Sequence, residues 1–194
     1  MSLLELIAAA DERGLAASGA ACLDRCLPQP ADGADPDPLR PLWSGCADGA
    51  VWPDRLAEAR AALDALPGED ATVRRIRELL GEAPAVRAGA GLRDWADDCS
   101  VLALEIHLGH DAERTGPAEA VARCRAGDPR GAGPLLAGET ARQNRILEML
   151  AEIAATAPAG AGLRQVLDVS AEGQRVLRAA ASRRARVGSD LRMT

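Results

Sequence analysis

Apolar residues recur every three or four positions along this chain, and that period is what most constrains its fold. Two such stripes are formed by Leu56, Ala59, Leu63 and Leu66, and by Val73, Ile76, Leu79 and Leu80. This spacing places the side chains on one face of an α-helix. No segment alternates apolar and polar residues between turn signals, as a half-buried strand would. The pattern therefore predicts an all-α fold.

The apolar composition supports the same conclusion. The chain has 194 residues, with no Phe or Tyr and three Trp, so its core must be built from Leu, Ala, Val and Ile. A core poor in aromatic residues favours helices over sheets. A chain of this length suits one domain. We expect a single-domain bundle of six to eight helices over residues 1–194, with a proline- and aspartate-rich linker loop at 28–38 and a disordered tail at 188–194.

A segment of about 92–113 is predicted to be the buried central helix. One stripe consists of Leu92, Trp95, Cys99, Leu102 and Ile106. Further apolar residues fill the other faces of the same segment. A helix that is apolar nearly all round is expected to be buried nearly all round.

Two ionisable residues, Glu105 and His107, interrupt this apolar helix. A charge inside a buried helix costs several kcal/mol unless it is paired. Glu105 must therefore meet an arginine, a histidine or a metal ion, or else lie on an edge that solvent reaches.

His107, His110 and Asp111 lie three and four positions apart and can share one face of a helix. Imidazole and carboxylate at that spacing are able to hold a divalent metal ion. The pattern matches no metalloenzyme signature. Structural polar residues near a helix end are therefore the favoured interpretation, and a metal site or ligand pocket is the alternative.

A second polar pair lies in the helix predicted over residues 135–156. Glu139 and Gln143 fall on the same face as its apolar residues. If that face meets the central helix, these two residues form a polar ligand pocket with Glu105, His107 and His110, as helix bundles can provide. Otherwise the first two turns project beyond the core. Neighbouring arginines such as Arg142 and Arg145 are then available to pair with acids.

Catalytic and cofactor motifs are absent from the sequence. The five cysteines show no redox, zinc or nucleophile spacing, so we expect them to be free, buried thiols. All 23 basic residues are arginines, and without lysine the glycine-rich segment near 131–138 is no phosphate-binding loop. We expect no cofactor, and a non-enzymatic role is favoured over an enzymatic one.

The last 31 residues of the chain are basic, whereas the rest is acidic. From Arg164 to Thr194, seven arginines against three acids give a charge of +4; with a net charge of −6 for the whole chain, the other residues carry −10. The favoured interpretation is that these arginines complement the dipole at the end of a helix and that the rest is a solvated tail. The alternative is that Arg178, Arg183, Arg184 and Arg186 form a surface for an acidic partner or a nucleic acid.

These features favour a cytoplasmic protein that acts through protein–protein contacts, with another protein or with itself as a homodimer. No run of 18 apolar residues is present, and the first residues lack a positive charge and include Glu5, so we expect neither a membrane span nor a signal peptide. A bundle that binds a small molecule or metal ion is the alternative. A nucleic-acid-associated regulator is less favoured, because the net charge is negative.

Overall fold

The computed structural model describes residues 1–28, 37–66, 70–111, 116–156 and 162–190. These residues contain nine α-helices and no strand. The helices are α1 (Leu3–Ala9), α2 (Glu12–Cys26), α3 (Arg40–Ala47), α4 (Trp52–Asp64), α5 (Ala71–Glu82), α6 (Gly89–His110), α7 (Pro117–Arg125), α8 (Pro134–Thr156) and α9 (Leu163–Asp190). The all-α prediction is confirmed, and the number of helices is close to the predicted six to eight.

The first two helices are separated by a capped break. Ser2 and Glu5 form a reciprocal capping box at the start of α1. The chain is extended at Ala10, and the Asp11 side chain then accepts a hydrogen bond of 2.6 Å from the backbone N–H of Gly14. The break between α1 and α2 therefore precedes Gly14, because Asp11 is an effective N-cap residue.

Helix α6 is the central helix of the bundle, as predicted. It packs against α1, α2, α5, α7, α8 and α9. One narrow stripe is nevertheless exposed, and Asp94, Asp98 and Glu105 lie on it at intervals of four and seven residues. The prediction of a helix buried nearly all round was therefore too broad, because the acids at this spacing share one solvent-facing side.

Helix α2 is the more deeply buried partner of α6. Every residue from Gly14 to Leu23 is buried, and most of them are small. At Gly19 a Cβ atom would lie only 2.6 Å from Cζ3 of Trp95. The lack of a side chain at Gly19 and the small residues around it therefore allow α2 and α6 to pack closely.

Helix α9 packs along α2, α8 and α6. It continues to Asp190, so it includes the first three residues of the tail predicted at 188–194, and 191–194 lie outside the described residues. Residues 29–36 of the predicted linker lie outside them too. No helix in the described part of the chain has the length and apolarity needed to cross a membrane.

Candidate functional site

A buried ion pair joins α2 to α8 in the interior of the bundle. Nη2 of Arg25 lies 2.6 Å from Oε1 of Glu139, and both side chains are 0% exposed. Nε of Arg25 donates to both carboxylate oxygens at 3.1 Å. Such a two-pronged contact is the strongest form of arginine–carboxylate pairing. It offsets part of the cost of removing both charges from water.

Neighbouring polar side chains complete the hydrogen bonding of Glu139. Nε2 of Gln143 donates to its Oε1 at 3.0 Å, and Nη1 of Arg142 donates to its Oε2 at 3.2 Å. Gln143 is in turn held by α6, because its Oε1 accepts a 2.6 Å hydrogen bond from Oγ of Ser100. The predicted approach of Glu139 and Gln143 to the central helix is thus present, with Ser100 as the contact of Gln143.

Helix α9 closes the cluster from the other side. Nη1 of Arg25 donates to Oγ of Ser170 at 3.3 Å, and that hydroxyl donates to the backbone carbonyl of Ala21 at 3.3 Å. One turn further on, Gly173 lies against the Arg25 side chain, and a Cβ atom there would collide with Cδ of Arg25. Gly173 weakens α9 as a helix, but it makes room for the arginine.

His107 reaches the same carboxylate from α6. Its Nε2 is 3.5 Å from Oε2 of Glu139, and its Nδ1 donates to the carbonyl of Ala103 at 2.7 Å. Nδ1 therefore carries the proton, since the carbonyl can only accept. Nε2 of the neutral ring can then only accept a hydrogen bond, and it is buried beside the carboxylate with no group that donates to it.

Two opposing influences act on the charge of His107. Burial lowers the pKa of His107, Glu139 raises it, and the nearby Arg25 and Arg142 lower it again; the net shift is downward. The approach to Glu139 alone would favour a protonated ring. Because two arginines already neutralise that carboxylate, a neutral His107 is the consistent state at neutral pH.

Glu139 remains ionised despite its burial. Burial by itself raises its pKa, but Arg25 and His107 together with the hydrogen bonds from Arg25 and Gln143 outweigh it and lower the pKa to about 2. Arg25 and Glu139 therefore both remain charged in the interior of the protein at neutral pH. The cluster stabilises only the helix arrangement in which all these partners meet.

The cluster leaves almost no free volume. A cavity of about 10 Å³ lies beside it, lined by Cys22, Arg25, Ser100 and Gln143 among others. That is roughly the space of one water molecule. The guanidinium of Arg25 pairs with Glu139 where the alternative interpretation of the sequence placed a ligand pocket.

The remaining predicted site residues lie apart from this cluster. Glu105 is exposed on the outer stripe of α6, so it lies on an edge that solvent reaches. The helical period places it on the same side as Asp94 and Asp98. His110 is half-buried at the last residue of α6. Within the described residues, no group of three His, Cys, Asp or Glu side chains is arranged to hold a metal ion. The metal set of His107, His110 and Asp111 stays a prediction without geometric support.

Asp111 caps a helix that has no cap of its own. Its Oδ1 and Oδ2 accept hydrogen bonds of 3.0 Å from the backbone N–H groups of Leu135 and Leu136 at the start of α8. Gly133 lies so close to this carboxylate that a side chain there would collide with it. A sequence signal existed, because the five residues directly before Pro134 include no Ser, Thr, Asn or Asp to cap the helix.

The four predicted partner-binding arginines divide into two groups. Arg178 is half-buried and donates to Gln174, and Arg184 donates to the carbonyl of Gly109 in the last turn of α6. Arg183 and Arg186 are exposed and have no ion pair with any described residue. Only the latter two present an uncommitted charge to solvent.

Arg25 is the central residue that the sequence prediction missed. It is the only charged residue between Gly14 and Leu27 apart from Asp24, in a helix otherwise made of small and apolar residues. Such an isolated arginine indicates a buried ion pair in the same way as Glu139 does in α8. The five cysteines are free and buried as predicted, and burial raises the pKa of Cys22 to about 12.

Comparison of this chain with family models, with curated proteins and with solved structures gave no match in any of the three searches.

Proposed function

We propose that this protein acts by binding an acidic surface of a partner protein through the exposed end of α9, with Arg183 and Arg186 as the contact residues. A binding role of this kind needs no cofactor and no internal pocket. The proposal agrees with the expectation from the sequence that the protein acts through protein–protein contacts.

The observation that carries this proposal is a change in burial along α9. Ala180 is its last buried residue in the described part of the helix. Ala181, Ser182, Arg183, Arg184 and Arg186 are all exposed, although the helix continues to Asp190. A helical end whose described side chains are exposed gains little stability from packing on its own domain. A partner surface supplies the packing that is missing.

Charge complementarity identifies the partner chemistry. The segment from Arg164 to Thr194 carries +4, in contrast to −10 for the rest of the chain. Arginines that stay solvated and unpaired are available to form two-pronged contacts with carboxylates. An acidic protein segment fits this surface better than a nucleic acid, because the denser negative charge of a nucleic acid is repelled more strongly by the acidic body of the protein.

A small-molecule or metal site between α6 and α8 remains the alternative prediction. The geometry gives it little support, because Arg25 and its partners occupy that space and the neighbouring cavity is about 10 Å³. A ligand would have to displace a paired, buried guanidinium, at a cost of several kcal/mol.

The test is a binding titration of the full chain with a fluorescent glutamate-rich peptide. The variant R183Q/R186Q is compared with R74Q/R145Q, which removes two exposed arginines elsewhere on the surface. We expect affinity to fall about tenfold in the α9 variant and to change little in the control, with the peptide affinity weakening as salt is raised.

Three outcomes contradict the proposal. The first is equal loss in both variants, which indicates a non-specific charge effect. The second is tighter binding of a labelled DNA duplex than of the peptide. The third is salt-sensitive self-association that requires Arg183 and Arg186, because sedimentation would then identify a second copy of the chain as the partner.

A further inference from the structure

A surface groove gathers three arginines from separate parts of the chain. The groove has a volume of about 470 Å³, and its lining includes Arg13, Arg87 and Arg93. Arg13 belongs to the first turn of α2, Arg87 to the segment before α6, and Arg93 to the beginning of α6. Like charges that converge in one groove repel each other unless an anion lies between them.

Arg87 is held in place by backbone contacts. Its Nη1 donates to the carbonyl of Cys46, and a Cβ atom on Gly49 would lie 2.8 Å from its Nη2. Its Nε is buried and donates to no protein acceptor. This guanidinium is therefore positioned by the fold, yet no described carboxylate forms an ion pair with it. Arg93 is exposed and likewise forms no ion pair with a described residue.

Arg13 and Arg87 act on the same buried thiol. Burial raises the pKa of Cys46 to about 12, while Arg87 and Arg13 act in the lowering direction. Both cations are thus within electrostatic reach of Cys46, and both line the groove. Only the fold brings Arg13 and Arg87 to the same groove, because α2 and the segment before α6 are far apart in sequence.

The start of α6 adds backbone donors to the same groove. Ala88 precedes the helix in an extended conformation and provides no side-chain cap. Gly89 has a φ of +75° and no atom within 4 Å of its Cβ position, and Ala90 is exposed. Three helices begin with a capping side chain, which is Ser2, Asp11 or Asp70, whereas α6 shares the lack of such a cap with α3, α4 and α7. Gly89 and Ala90 line the groove, and the first N–H groups of this 22-residue helix have no side-chain acceptor.

Two acids also line the groove. Asp11 caps α2 through its 2.6 Å contact with Gly14, and Glu12 is exposed. The three arginines exceed the two acids by one charge, and the N-terminus of α6 adds a partial positive charge, so the field in the groove favours an anion.

We propose that this groove binds a phosphoryl group, held by Arg87, Arg93 and the first N–H groups of α6. Planar guanidinium groups and helix N-terminal N–H groups are the two donor types that recognise phosphate oxygens in proteins. The site is separate from the exposed end of α9 and does not depend on the function proposed above.

The test is an NMR titration of the full chain with inorganic phosphate at constant ionic strength. We expect saturable shifts of the Ala90, Gly91 and Leu92 amide signals. The variant R93Q should weaken phosphate binding at least about tenfold, whereas R74Q, which removes one exposed arginine elsewhere, should leave it within about twofold. R87Q tests the anchored guanidinium in the same way, and R93Q covers the case in which R87Q does not fold.

The proposal is overturned by shifts that spread over the whole surface without saturation, or by equal effects of R93Q and R74Q. Acetate binding as tightly as phosphate overturns it too, because a carboxylate would then be the ligand class. R183Q/R186Q should retain phosphate binding, so a failure at the α9 surface and a failure at this groove are distinguishable.

Discussion

The guanidinium of Arg25 and the carboxylate of Glu139 meet 2.6 Å apart, with neither side chain exposed to solvent. The pair connects α2 to α8, and Ser170 and His107 add α9 and α6. These four helices therefore share one polar centre inside an apolar bundle.

Acid should destabilise the fold through Glu139. Its pKa is about 2 in the folded protein, compared with 4.5 for an ordinary glutamate. The folded state therefore binds fewer protons than the unfolded state between these values. Stability is fully present above about pH 5 and is lost as the pH falls toward the folded pKa. Urea unfolding at a series of pH values should show this decline, and E139Q should show a shallower one. An equally steep decline in E139Q would contradict this assignment.

Asp24 should have the opposite effect on stability. Burial and the neighbouring Asp37 raise its pKa to about 6, although Arg25 and Arg178 lower it. Since the folded state binds more protons than the unfolded state, stability falls as the pH rises from about 4 to about 6. D24N should therefore stabilise the protein at neutral pH by about 1–2 kcal/mol in urea unfolding. The control is D98N on the exposed stripe of α6, and no gain over that control would contradict the prediction.

Asp111 should be a stability residue. Replacement by alanine removes both acceptors of the Leu135 and Leu136 N–H groups, and such caps contribute about 1–2 kcal/mol. We expect D111A to lower the free energy of unfolding by that amount, while D94A on the exposed face of α6 changes it by less than about 0.5 kcal/mol. Equal effects of D111A and D94A would show that the cap contributes nothing.

The helical period of the apolar residues was sufficient to predict the fold class and the central position of α6. It did not reveal that α2 is the more buried helix. The run from Leu15 to Leu23 consists largely of alanine and other small residues, which carry little hydrophobic signal. Their importance comes from the close approach that they allow, as Gly19 does against Trp95.

The candidate site was predicted in part. The positions of Glu139, Gln143 and His107 on apolar faces indicated a polar centre, and those three side chains do converge. Glu105 lies on the exposed stripe with Asp94 and Asp98, a pattern that the sequence already contains at helical spacing. Arg25 could not be paired with Glu139 from sequence alone, because 114 residues separate them and only the packing of α2 on α8 joins them.

The most direct test of the buried centre is a double-mutant cycle on Arg25 and Glu139, followed by urea unfolding. Removing one partner leaves a buried charge, so R25M and E139L should each cost about 3–5 kcal/mol. The double variant R25M/E139L should cost far less than the sum, because both charges are gone. If either single variant does not fold while the double variant does, the coupling is shown as well. Strictly additive losses in the cycle would contradict it, because they would mean that the two side chains do not depend on each other.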